Sequence, residues 1–171
     1  MASSPKRYLP QSREDNFPFL TKDLYEVTDD ESDEYNCIAF GAGDETRWWW
    51  PDPGGDYYWP IQKREETIEA FIEMFESLGY QKCWRSRQKQ GFEKIALYCD
   101  PIGCVATPWH AEVLPNSPTH AAKQFRNGFW RSKLGSWEQI EHKTLECLNG
   151  TDRTGQRTSY GEPTKFLKRQ I

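Results

Sequence analysis

Apolar positions recur at helical spacing most clearly between Arg64 and Leu78, where Ile68, Phe71, Ile72, Phe75 and Leu78 form one stripe. Glu65, Glu66, Glu69 and Glu73 lie elsewhere on that cylinder, the first two suit the positive end of its dipole, and Gly79 stops it. A second helix is predicted over Trp137 to Leu148, with Ile140, Leu145 and Leu148 inward and Gly150 beyond its end. A shorter one is predicted from Asn36 to Gly43, since Asn36 can cap it and the glycine can end it. Alternation replaces helical spacing over Phe92 to Cys99, which predicts a largely buried strand. His120 to Phe125 and Phe129 to Leu134 flank Asn127-Gly128, a strong hairpin signal, and Thr164 to Leu167 reads as a closing edge strand. The pattern therefore predicts an α+β fold, a small antiparallel sheet packed with an early Cys-bearing helix and two longer helices. At 171 residues the chain suits one domain, read as 20–171 after a flexible N-terminal arm over 1–19.

Three stretches break the pattern. Residues 48–60, WWWPDPGGDYYWP, combine prolines, glycines and six aromatic rings, so they predict an ordered loop packed by its own side chains. Residues 100–118 carry Pro101, Pro108, Pro115 and Pro118 and read as an irregular insertion between strands. Asp29 to Glu34 holds five acids in six positions, which reads as a solvated turn and also offers a docking face for a basic partner.

Charge narrows the function classes. Lys and Arg number 22 against 26 Asp and Glu, a formal net charge of −4, and no concentrated basic patch is evident, so no nucleic-acid partner is expected. The basic tail of Lys165, Lys168 and Arg169 is too short to change that. No apolar stretch approaches the roughly 18 residues of a membrane span, and the first residues carry no secretory pattern, so no membrane association is expected. Five cysteines without close spacing suggest free thiols in a reducing, cytoplasmic setting. The aromatic surplus is local, because 48–59 hold four of the 8 tryptophans.

Cysteine chemistry needs a thiolate, and a Cys in the first turn of a helix gains it from the dipole and from free amide groups. Cys37 takes that place if Asn36 is the cap. His120, opening a strand, is the best imidazole partner on sequence order; His110 lies in the irregular insertion and His142 in a predicted helix. The next strand offers Ser132 as an orienting group. Against catalysis, acids upstream of Cys37 raise its pKa unless they face solvent, and a buried helical Cys is often packing. Cys99, Cys104, His110 and His120 can be drawn as a zinc set with Glu112 as a base, but the short Cys-x2-Cys knuckle is missing, so neither metal nor cofactor is expected. The stacked rings of Trp48, Trp49, Trp50 and Trp59 can bind sugars or peptides, with Asp52 and Asp56 accepting hydroxyls and Arg47 stacking or pairing nearby; alternatively they supply missing core. No phosphate-binding glycine loop or serine nucleophile elbow is found.

The blocks Tyr35-Asn36-Cys37-Ile38-Ala39, Arg47-Trp48-Trp49-Trp50-Pro51, Tyr58-Trp59-Pro60, Pro118-Thr119-His120-Ala121-Ala122 and Trp130 to Gly135 resemble an uncharacterised family of small bacterial proteins. The resemblance implies that Cys37, His120, His142, Arg47 and the tryptophans belong to a shared pattern, and that residues 100–117 are an expansion. In order and context, though not in an extended motif, the Asn-Cys helix start and later Thr-His strand are also similar to papain-like cysteine hydrolases, including peptidoglycan amidases. That likeness implies an amide, peptide or isopeptide hydrolase. Cys37 would attack, His120 would carry the proton, the amide at the α-helix start would hold the oxyanion, and Ser132, Glu141 or His142 would orient the ring. The alternative is a non-catalytic binding module in which the loop over 47–60, with Asn36 and Arg47, recognises a glycan, peptide or protein.

Overall fold

The computed structural model describes residues 2–100, 117–150 and 160–171. Its centre is a seven-stranded antiparallel sheet in the order β1-β6-β5-β4-β3-β7-β2. The strands are β1 (Tyr25–Asp29), β2 (Gln81–Cys83), β3 (Phe92–Asp100), β4 (Ser117–Gln124), β5 (Trp130–Lys133), β6 (Gln139–His142) and β7 (Glu162–Gln170). Three helices accompany it: α1 (Gln11–Glu14), α2 (Cys37–Ala42) and α3 (Ile68–Ser77), with a 3-10 turn at Glu146–Leu148. The α+β expectation holds, with a larger sheet and fewer long helices.

Both faces of the sheet are buried, and strand alternation decides which residue joins which layer. On one face, Ile95, Leu97, Ala121 and Leu167 pack with α2, α3, Trp49 and Trp59. On the other, Ala96, Tyr98, Ala122, Trp130 and Ile140 pack with Leu9, Phe17, Leu20, Leu145 and Leu148. The segment expected as an arm thus places Leu9 and Phe17, each 4% exposed, in the second layer. The Leu9 amide donates to the Tyr25 hydroxyl, which donates in turn to Glu14. The arm's neighbour, β1, was absent from the expected elements.

Helix α3 starts at a Thr67 cap rather than at Arg64, and its stripe is the expected one, with Phe71 and Phe75 fully buried. The hairpin at Asn127-Gly128 also forms, with Gly128 at φ 84°. Two expectations change. Trp137 to Leu148 is not a helix: Gly135, at φ 60°, and the Leu134 amide bonded to the Glu138 carbonyl close a tight turn that folds β6 back on β5. Nor is the last strand an edge, because β7 lies between β3 and the three-residue β2. The prolines at 101, 108 and 115 fall outside the described residues. No helix among the described residues is long and apolar enough to cross a membrane.

Candidate functional site

Helix α2 forms where the sequence places it. Asn36 accepts the Ala39 amide proton on Oδ1 at 3.1 Å, and Gly43 closes the helix in the left-handed region at φ 89°. The same Asn36 side chain binds the aromatic loop, donating from Nδ2 to the Trp49 carbonyl at 2.8 Å and accepting from the Trp49 amide at 3.3 Å. Residue 41 must be small for α2 to sit this low on the sheet, since a Cβ on Gly41 would stand 3.3 Å from Phe75 Cζ and 3.4 Å from Ile95 Cδ1. Asn36 thus couples the position of Cys37 to the position of the tryptophans.

The loop is rigidified by carboxylates. Asp44 accepts from the Thr46 amide and hydroxyl, from Arg47 Nε at 2.9 Å and from Trp49 Nε1 at 2.8 Å. Burial alone would raise the Asp44 pKa, but these hydrogen bonds outweigh it and hold the carboxyl well below the usual range. Asp52, 2% exposed, accepts from the amides of Asp56 and Tyr57 and pairs with Arg64 at 3.2 Å, so it stitches the loop instead of facing a ligand. Trp49 and Trp59 are buried, Trp59 donating to the Lys63 carbonyl and meeting Phe71 at 5.1 Å between ring centroids. Trp50 donates to Glu66 at 2.7 Å, and Arg47 lies over the Tyr58 ring at 3.4 Å. The tryptophan cluster is therefore divided: Trp49 and Trp59 supply core, while Trp48 and Trp50 are half-buried.

Trp48, Trp50 and Tyr57 wall a cavity of about 210 Å³ that opens at the start of α2, where Asn36 and Cys37 form its edge. Thr119, Gly135 and Tyr160 complete it from the end of the sheet. The Asn36 and Thr119 side chains there already have partners. Asn36 serves α2 and Trp49, and the Thr119 hydroxyl bonds the carbonyls of Tyr160 and Tyr98. Cys37 itself is 5% exposed, and burial pushes its thiol up to about 11, although the Ala121 and Ile38 amides and the Lys133 charge act the other way. At neutral pH it is a thiol.

The expected catalytic group is divided by the sheet. Ala121 belongs to the layer containing Cys37, whereas His120 stands opposite Tyr98 in the register and shares its face with Ala122. Beneath that second face, His120 Nε2 lies 2.8 Å from Ser132 Oγ, which lies 2.8 Å from His142 Nε2. His142 Nδ1 lies 2.8 Å from the Thr144 carbonyl, an oxygen that only accepts, so Nδ1 carries the proton. It follows that Ser132 donates to His142, and His120 donates from Nε2 to Ser132. His120 Nδ1 is then a buried acceptor with no partner among the described residues. Its ring stacks on Tyr160 at 4.0 Å between centroids. Burial holds both imidazoles neutral, His120 well below its ordinary value, with the neighbouring His142 adding to the shift, and His142 at about 4. The structure thus brings His120, Ser132 and His142 together, and Cys37 makes no hydrogen bond to any of them.

Lys133, which no sequence motif singles out, shares the face of Cys37. Its ammonium is bonded to the Ser32 carbonyl at 2.7 Å and the Gly135 carbonyl at 2.5 Å, and lies 4.8 Å from the centre of the Tyr35 ring. Burial brings its pKa down to about 8, while the charges of Glu138, Asp33 and Asp29 favour the protonated form. The available signal is the alternation of β5, which puts Arg131 and Lys133 opposite Trp130 and Ser132. Cys104, His110 and Glu112 of the drawn zinc set lie outside the described residues. Among the described residues no group of three or more His, Cys, Asp or Glu could hold a metal ion.

Comparison with curated proteins and with solved structures finds no match. A family model does match, over a span that includes the Asn-Cys, tryptophan and Thr-His blocks. It covers residues 26–168, and the chain belongs to that family, described as Domain of unknown function (DUF7689).

Proposed function

We propose that the chain is a non-catalytic binding module whose aromatic pocket at the start of α2 receives an apolar or aromatic side chain from a peptide or protein partner. The observation that carries this reading is the pocket itself: Trp48, Trp50 and Tyr57 are presented on a loop braced by Asn36, Asp44 and Asp52. A braced loop loses little conformational freedom on binding, so ring contacts there contribute more of their energy to affinity. A glycan fits less well, because sugar hydroxyls need partners and Asn36 and Thr119 are engaged with the backbone. Amide, peptide or isopeptide hydrolysis with Cys37 as nucleophile needs an imidazole at the sulfur, and both histidines among the described residues, His120 and His142, lie under the opposite face of the sheet.

The test is a titration followed through the indole N–H resonances, with indole, p-cresol and N-acetylglucosamine as probes. The reading expects shifts at Trp48 and Trp50 with the aromatic probes and loss of the Trp50 shift in Trp48→Ala. Shifts with the sugar alone, or none with any probe, would overturn it.

A further inference from the structure

At the outer edge of the sheet β2 runs into Trp84, which is 97% exposed. The surrounding segment, Gln81 to Gln90, holds Lys82, Arg85, Arg87 and Lys89 and no acid. This loop is pinned from beneath by Lys94, 4% exposed, whose ammonium donates to the Arg85 and Arg87 carbonyls. Gln88 donates to the Arg126 carbonyl, which brings a further cation alongside. The ammonium groups of Lys89 and Lys168 both approach the Phe92 ring, at 4.6 and 5.2 Å from its centroid. Burial first, and then Lys168 and Lys89, hold Lys94 below its ordinary pKa. The neighbouring carboxylate, Glu93, already pairs with Arg169 and Lys123. Lys82, Arg85, Arg87, Lys89, Arg126 and Lys168 make no ion pair among the described residues.

Such a gathering of uncompensated cations on a chain of net charge −4 calls for an anion. Trp84 decides which. An acidic peptide would neutralise the cations but leave both faces of the indole bare, whereas a nucleobase covers one while its phosphates meet the cations. Side-chain amides of Gln81, Gln88 and Gln90 add hydrogen-bond donors for phosphate and base edges. We propose that this edge binds single-stranded nucleic acid, with a base stacked on Trp84 and the backbone following Arg85, Arg87 and Lys89. The sequence shows only four of these cations together; the fold adds Arg126 and Lys168.

Fluorescence anisotropy with labelled oligodeoxyuridylate and oligouridylate of equal length tests this in the intact chain. The proposal expects binding that weakens as salt rises and about tenfold weaker binding in Trp84→Ala. In Arg85→Glu/Arg87→Glu the salt slope should be smaller by about 1.4, because two phosphates are no longer neutralised. All three side chains are exposed, so circular dichroism should be unchanged. Binding in either arm supports the proposal, and the tighter arm identifies the sugar. No binding at low salt overturns it, as does binding insensitive to Trp84→Ala and fully competed by polyglutamate, which would assign the edge to acidic polypeptides.

Discussion

The Thr144 carbonyl fixes the Nδ1 proton of His142, and since Ser132 has one hydroxyl proton between two imidazoles, the tautomer of His120 follows. Ser132→Ala leaves the His120 donor and the His142 acceptor unmatched inside the protein. At about 1–3 kcal/mol for each stranded group, a loss of about 2–6 kcal/mol is expected in urea denaturation. Both imidazoles are buried neutral, so the folded pKa lies below the unfolded value and the unfolded chain binds protons first. Their contribution is complete above pH 6.5 and is lost as pH falls, for His142 down to about 4. Stability measured from pH 7 to pH 4 should therefore decline by about 3 kcal/mol from His142 alone, and a flat profile would contradict the assignment. The His120 and Ser132 pairing was legible, because a hairpin turn at Asn127-Gly128 fixes which residues of β4 and β5 share a face. The face on which α2 lands was not, since it depends on contacts far apart in the chain.

Among the elements, α2 is the one whose sequence carried most of its own instructions. Asn36 and Gly43 mark its ends, and the residues between are small or apolar. Asn36→Ala removes the cap and both links to Trp49, and about 2–3 kcal/mol should be lost, with tryptophan emission shifting to longer wavelength as the loop loosens. Asn36→Asp keeps the acceptor for Ala39 but turns a carboxylate oxygen on the Trp49 carbonyl, so it should not restore the link to the loop and the emission shift should persist. The element furthest from its sequence expectation is β6. Four residues, Gln139 to His142, are too few to tell a strand from a helix by spacing, and Leu145 and Leu148 completed a helical stripe that belongs to a 3-10 turn. What decides the outcome is the turn at Gly135, which aligns β6 for pairing with both β5 and β1. Strand β2 carries no legible signal, because two of its three residues are exposed and polar.

Across the described residues the sheet acts as a partition, with α2, α3 and the aromatic loop on one side and the N-terminal segment, α1 included, on the other. Removing residues 1–20 would expose the second layer where Leu9, Phe17 and Leu20 now pack. At about 1.5–3 kcal/mol for each buried side chain, the loss should reach about 5 kcal/mol or more by thermal or chemical denaturation. A truncated chain of unchanged stability would refute the layered packing. The same partition separates the Cys37 thiol from the imidazole relay, and the proposal of a binding module rests on that separation. The most direct test is the rate of iodoacetamide labelling at neutral pH, resolved by cysteine in the mass spectrometer, for the native chain and for His120→Ala. Cys37 should label more slowly than the half-buried Cys83, at a rate that His120→Ala leaves unchanged. Rapid labelling confined to Cys37 and abolished by His120→Ala would contradict the account, since it would require the thiol and the imidazole to meet.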